Sequence, residues 1–155
     1  MTKVHVEASD IIEARPEEVY AVFSDYRVGH PAILPKAYFQ ELNIEEGGQG
    51  AGTVFTTKMK VWGKEFSYHL KVAEPEPGRK MIESSLDSDL VTAFIVEPLN
   101  GGQHSRVTIS SDFPASSGFQ GLMEKLFQPS LVRGIYKKEL KQLAAYLAGK
   151  KIAVA

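Results

Sequence analysis

The sequence of 155 residues contains no cysteine. Disulfide bonds, thiolate nucleophiles and zinc–thiolate centres are therefore all excluded. Long apolar runs are missing too, because no stretch approaches the ~18 consecutive apolar residues of a membrane-spanning helix. The first ten residues alternate polar and apolar side chains and lack the apolar segment of a secretory leader. These absences predict a protein without an integral membrane segment, located in the cytoplasm.

An excess of charge of one sign is also lacking. The chain has 18 lysines and arginines against 19 aspartates and glutamates, for a formal net charge of −1, and its pI is near 6.4. The lysines are spread along the chain rather than clustered, whereas binding to a phosphate backbone requires a basic surface. We therefore predict that nucleic acid is not a partner.

Motifs that would hold a metal, a nucleotide or an activated serine are absent as well. The sequence contains no His-Glu-x-x-His and no Gly-x-Ser-x-Gly. The glycines of residues 47–52 fit neither Gly-x-Gly-x-x-Gly nor a P-loop, and a strand pattern rather than a helix follows them. We interpret this segment as a flexible hairpin, and we expect no metal and no cofactor.

The sequence does contain a succession of short periodic segments. Alternation over residues 4–14 predicts a first strand, and Pro16, followed by Glu17 and Glu18, suits the start of a helix. Gly29 and two prolines then allow at most a short second helix. Further strands are predicted near residues 37–45, 53–62, 64–74, 80–86, 90–98 and 105–113, where the period changes to two. Because the sequence contains no interdomain linker, we predict a single domain spanning residues 1–155.

The last quarter of the chain is typical of one long amphipathic helix over residues 116–148. Ser117 and Gln120 have the spacing of a capping box, and Gly149 suits a C-terminal stop. Two apolar stripes are out of phase, and Pro129 at their junction predicts a kink. The first stripe is Phe119, Leu122, Met123, Leu126 and Phe127, and the second is Val132, Tyr136, Leu140, Leu143 and Leu147. We expect the second stripe to anchor the fold and the first to line or gate a pocket.

An apolar helix face and an apolar sheet face must bury each other, which predicts an α+β fold: a curved antiparallel sheet of about seven strands around the C-terminal helix, with two short helices between strands 1 and 2. Several segments occur in a characteristic order: Ile-Glu-Ala-Arg-Pro-Glu-Glu-Val-Tyr at 12–20, Ser-Asp-Tyr at 24–26, Leu34-Pro35, Gly-Ala-Gly-Thr at 50–53, Glu97-Pro98 before Gly101-Gly102, and 140–143. In this order they resemble the helix-grip fold of the START/SRPBCC and pollen-allergen superfamily, in particular its polyketide cyclase/dehydrase-like branch. The resemblance implies a cavity between sheet and helix, with the glycine-rich loop at its entrance.

Strand alternation assigns the side chains that face the helix. Phe55, Thr57, Met59 and Val61 point inward in one strand, Phe66, Tyr68, Leu70 and Val72 in the next, and Val107, Ile109, Ser111 and Phe113 in the last. The family resemblance adds Thr92, Phe94 and Val96. His5 and His69 are predicted to point outward. The isolated inward hydroxyls suit either the polar anchors of a pocket or a filled core in which they bond to the backbone.

Our first functional hypothesis is binding of a small hydrophobic or aromatic ligand, such as a lipid, a polyketide or a quinone-like compound. The predicted wall residues are Tyr26, His30, Phe55, Thr57, Met59, Tyr68, Thr92, Phe94, Phe127 and Tyr136. These residue types offer a large apolar surface together with a few polar groups that would orient a ligand.

Two alternatives stay open. His30, in the break between the short helices, and Tyr68 are candidates for the acid–base pair of a cyclase or dehydratase, although a loop histidine is usually partly exposed and the sequence shows no catalytic constellation. The third hypothesis is a protein-interaction module whose partner the sequence does not identify. Arg79, Glu83 and Glu97 are possible charged anchors, but we expect them to be exposed.

Overall fold

Seven strands and three α-helices make up the regular structure of the residues that the computed structural model describes, which are 2–61, 63–115 and 129–154. The strands are β1 (Thr2–Ile12), β2 (Phe39–Glu46), β3 (Val54–Val61), β4 (Lys64–Glu76), β5 (Lys80–Ser85), β6 (Val91–Leu99) and β7 (His104–Ala115). The helices are α1 (Pro16–Ser24), α2 (Gly29–Ile33) and α3 (Pro129–Val154), and a 3-10 turn, Asn100–Gly102, joins β6 to β7.

All of these strands belong to one antiparallel sheet in the order β1-β7-β6-β5-β4-β3-β2. Each strand from β2 to β7 pairs with its neighbour in sequence, whereas β1 pairs with β7, from Thr2 opposite Ala115 to Ile12 opposite Ser105. The segment that contains α1 and α2 therefore connects the two outermost strands of the sheet. The predicted α+β helix-grip fold is confirmed.

Helices α1 and α2 pack closely because the first residue of α2, Gly29, has no side chain. Pro16 occupies the first position of α1, and the Glu18 carboxylate accepts a hydrogen bond from the Arg15 N–H at 3.2 Å, which satisfies an otherwise free donor. A Cβ atom on Gly29 would lie only 2.8 Å from the Val22 carbonyl oxygen. Any larger residue would push α2 away from α1, so Gly29 fixes the position of the next residue, His30.

Helix α3 buries the second predicted stripe. Its residues Val132, Tyr136, Leu140, Leu143 and Leu147 are all buried, together with Ile135. Burial of a large aliphatic side chain contributes roughly 1.5–3 kcal/mol, so this face supplies a large part of the core. The helix packs against β1, where the Arg133 Nε donates to the Glu7 carbonyl at 3.3 Å.

The predicted end of this helix at Gly149 is wrong, because α3 continues to Val154. Lys150 places its Nζ 4.9 Å from the centre of the Tyr146 ring, as expected for residues four apart on one face of a helix. The predicted first stripe, the capping box at Ser117 and any kink preceding Pro129 lie outside the described residues.

Candidate functional site

A cavity lies between the inward face of the sheet and helix α3. Its wall is mostly apolar and includes Phe55, Thr57 and Met59 of β3, Tyr68 and Leu70 of β4, Thr92 and Phe94 of β6, and Val132, Ile135 and Tyr136 of α3. The volume open to the centres of water molecules is about 80 Å³, several times the ~10–15 Å³ that one water needs. The inward faces predicted from strand alternation therefore enclose space rather than a fully packed core.

Most of the predicted wall residues line this cavity. They are His30, Phe55, Thr57, Met59, Tyr68, Thr92, Phe94 and Tyr136. Tyr26 is buried behind the wall, where its ring stacks on His30 with ring centres 4.5 Å apart. Phe127 lies outside the described residues. Val132 also lines the cavity, although it belongs to the stripe that was expected to anchor the fold.

His30 is buried in α2, which corrects the expectation of a partly exposed loop residue. Its Nδ1 lies 2.7 Å from the Phe23 carbonyl oxygen. A carbonyl can only accept, so Nδ1 carries the proton and Nε2 holds the lone pair of the neutral ring. Burial lowers the His30 pKa to about 4, and the ring is therefore neutral at pH 7.

Glu83 of β5 is buried at the cavity wall, contrary to the expectation that it would be exposed. Its Oε2 accepts a hydrogen bond from the Tyr26 hydroxyl at 2.6 Å and lies 3.7 Å from Nε2 of His30. Burial raises the Glu83 pKa to about 7, and the hydrogen bond from Tyr26 opposes the rise. Strand alternation could have predicted the burial of Glu83, because Met81, two residues earlier in the same strand, is fully buried on the same face.

Glu139 of α3 is a second buried acid, which the sequence reasoning missed. The residue is only 2% exposed, and its Oε1 has no hydrogen-bond partner in the part of the chain that the structure describes. Burial raises its pKa well above 4.5, and the charge of Glu83 adds to the rise. Helical spacing could have predicted the burial of Glu139, since this residue follows Val132 by seven positions and Ile135 by four.

The hydroxyl groups of Thr57, Thr92 and Ser111, which were predicted to face the helix, are already bonded within the protein. The Thr57 hydroxyl donates to the Glu41 carbonyl at 2.7 Å. The Ser111 hydroxyl bonds both to Thr92, at 2.6 Å, and to the Tyr136 hydroxyl. These hydrogen bonds tie α3 to β7 and β6. Oε1 of Glu139, by contrast, has no partner among the described residues.

The glycine-rich loop of residues 47–52 does not contribute to the described cavity wall. The Arg27 guanidinium donates to the Gly47 carbonyl at 2.8 Å, and the Gln49 amide donates to Asp25 at 3.0 Å. These bonds hold the loop against the segment between α1 and α2. The loop was predicted to lie at the cavity entrance, but none of its residues is among those that line the described cavity.

The predictions that His5 and His69 point outward agree with the structure. His69 is bonded to the Glu45 carboxylate at 2.7 Å on the outer face of the sheet. His5 is half-exposed and lies 2.8 Å from both Glu7 and Asp112. Neither histidine belongs to the cavity wall.

Metal centres and membrane spans are not found in the described parts of the chain. No group of three or more histidine, aspartate or glutamate side chains is placed to hold a metal ion among these residues. Within the same ranges, no helix combines the length and the apolar character needed to cross a bilayer.

Several known proteins resemble this chain in sequence or in structure. The sequence matches the family described as polyketide cyclase/dehydrase and lipid transport over residues 3–148. The KanY protein, solved by NMR, has 30% sequence identity and a TM-score of 0.81, over 96% of this chain and 99% of KanY. No protein with a curated description matches the sequence.

Two more distant structures show the same fold. The major latex-like protein 151 of Panax ginseng has 14% identity and a TM-score of 0.72, over 93% of this chain and 97% of the ginseng chain. The Zhui aromatase/cyclase of a Streptomyces species has 19% identity and a TM-score of 0.64, over 93% of this chain and 88% of its own.

Burial of Glu139 predicts a specific pH dependence of stability. Its pKa is near 4.5 in the unfolded chain and higher in the folded protein, so between the two values the folded state binds more protons and stability falls as pH rises. Glutamine does not titrate. The Glu139→Gln variant should therefore gain unfolding free energy relative to wild type as the pH rises from 5 to 8.

Urea unfolding of both proteins at the two pH values measures this difference. Glu46→Gln, at an exposed position on β2, is the matched control and should shift stability equally at both. A Glu139→Gln effect that is independent of pH would show that the carboxyl group is solvated.

Proposed function

The chain belongs to the polyketide cyclase/dehydrase and lipid transport family, and on that premise we propose that it binds a small hydrophobic or aromatic ligand in the cavity between the sheet and α3. The family and the structural neighbours support a role in ligand binding or cyclisation. The observation that carries the proposal is the cavity itself, with an apolar wall and a buried carboxyl oxygen, Oε1 of Glu139, that has no partner among the described residues.

Apolar contact supplies the affinity in this proposal. Each Å² of apolar ligand surface that leaves water contributes about 25 cal/mol, and aromatic side chains such as Phe55 and Phe94 offer flat contact surfaces. The carboxyl group of Glu139 supplies orientation, because a ligand that left it unpaired would leave its desolvation cost uncompensated. A mostly apolar pocket with few polar groups is typical of small-molecule sites.

Filling the cavity tests the location of the ligand. Met59 lines the cavity, whereas Lys58, its neighbour in β3, points to the outer face. We expect Met59→Trp to weaken binding of the neutral probe 1-naphthylmethanol at least tenfold, because the indole occupies the space that the probe needs. The probe's own fluorescence measures the Kd.

Lys58→Trp adds the same side chain to the opposite face and should leave the Kd within about twofold of wild type, because its side chain does not reach the cavity. Equal Kd values for all three proteins would place the probe elsewhere.

Acid–base catalysis of the cyclase or dehydratase type is the second candidate. The specific observation in its favour is a contiguous group of buried titratable side chains at the cavity wall, in which Glu83 contacts both Tyr26 and His30. The lone pair of His30 Nε2 is available as a base, and Tyr68 is available as a donor to a developing oxyanion. Burial raises the Tyr68 pKa, so this residue would act as a neutral donor.

A fluorogenic β-hydroxy ketone with a naphthyl group tests this chemistry, since its retro-aldol cleavage needs a base at the hydroxyl proton. If His30 is that base, His30→Gln should lower kcat by about 100-fold or more while the Kd of 1-naphthylmethanol stays within about threefold. His69→Gln, on the outer face of β4, is the control and should have wild-type turnover. Turnover that is unchanged in His30→Gln would remove His30 from this role.

A further inference from the structure

The acidic side chains of the cavity have no basic partner among the described lining residues. Two of the lining residues are glutamates, Glu83 from β5 and Glu139 from α3, and no lysine or arginine is among the described residues that line the wall. The remaining titratable groups that face the pair are Tyr26 and His30 from the α1–α2 segment, Tyr68 from β4 and Tyr136 from α3. His30 is neutral at pH 7, so no cation faces either carboxyl group in the part of the chain that the structure describes.

The two acids differ in what the protein already provides for them. Glu83 accepts a hydrogen bond from the Tyr26 hydroxyl at 2.6 Å. Glu139 is 2% exposed, and its Oε1 has no partner in the described parts of the chain. A buried carboxyl oxygen without a partner is costly, and this one lies in the wall of a cavity large enough to admit a ligand group.

Aromatic side chains surround the same space. Tyr68, Phe94 and Tyr136 line the cavity with Glu139, and aromatic ring faces attract cations when the site is desolvated. With carboxyl groups, ring faces and no lysine or arginine among the described lining residues, the site is complementary to a cation attached to an apolar body. A ligand carboxylate would gain no such pairing, and either glutamate in its ionised form would repel it.

We propose that the cavity selects hydrophobic ligands that carry a basic nitrogen, with the protonated amine bound to the carboxylate of Glu139. This inference rests on the proposed function and names its ligand class. A neutral hydroxyl could also bond to Oε1 of Glu139, but it would bring no charge to pair with the carboxylate form of either glutamate. The amine supplies both the hydrogen bond and the charge.

Formation of the proposed ion pair changes the number of protons bound to the protein. When Glu139 is protonated in the free protein, binding of a protonated amine yields a carboxylate–ammonium pair and releases one proton to solvent. Calorimetric titrations in two buffers of different ionisation enthalpy detect this proton, which binding of a neutral alcohol does not release.

Two probes of nearly equal shape test the inference: 1-naphthylmethylamine, which is cationic at pH 7, and 1-naphthylmethanol, which is neutral. We expect wild-type protein to bind the amine at least tenfold more tightly than the alcohol, with proton release. Glu139→Gln should reduce this preference to about twofold or less, whereas Glu46→Gln, which removes one exposed charge, should preserve it.

Each outcome bears on a different claim. If both probes bind with equal Kd, or if Glu139→Gln keeps the full preference for the amine, the inference is overturned while the proposed function stands. If neither probe binds to wild-type protein, the proposed function fails and the inference fails with it. The comparison of the two probes on wild-type protein does not depend on the folding of any variant.

Discussion

The burial of one face of α3 against the inward side of the sheet is the constraint on which the rest of the structure depends. The C-terminal part of that face, with Leu140, Leu143 and Leu147, packs into the core. The N-terminal part, from Val132 to Glu139, instead faces the cavity. The hydrogen bonds from Tyr136 through Ser111 to Thr92 connect this part of the helix to the sheet. The same helix therefore stabilises the fold and forms one wall of the site.

Desolvation is the second consequence of this packing. Groups placed in the wall lose contact with water, so most polar atoms there have found protein partners, including the hydroxyls of Thr57 and Thr92. Oε1 of Glu139 has no partner in the described ranges, and burial raises the pKa of this residue. Natural cores rarely retain such a group unless it serves a function. In our account that function is recognition of a ligand.

Much of the fold could be predicted because period-two alternation and helical stripes directly report which side chains are buried. The same patterns correctly placed Tyr68 on the inward face of β4 and His69 on its outward face. They failed for Glu83 and Glu139, because charged residues are expected at the surface, even though both positions are in phase with buried neighbours. The environment of His30 was also missed, because its burial depends on the close approach of α2 to α1 rather than on any local pattern. Likewise, the helix continues past Gly149 because a glycine permits a stop without requiring one.

The central claim is that Glu83 and Glu139 are desolvated carboxyl groups in a ligand cavity. The most direct measurement is a pH titration of their side-chain carboxyl carbons by 13C NMR in the ligand-free protein, with Glu83→Gln and Glu139→Gln used to assign the signals. The account predicts a midpoint of about 7 for Glu83 and a midpoint well above 4.5 for Glu139. Midpoints near 4.5 for both residues would contradict it, because they would mean that both carboxyl groups are hydrated.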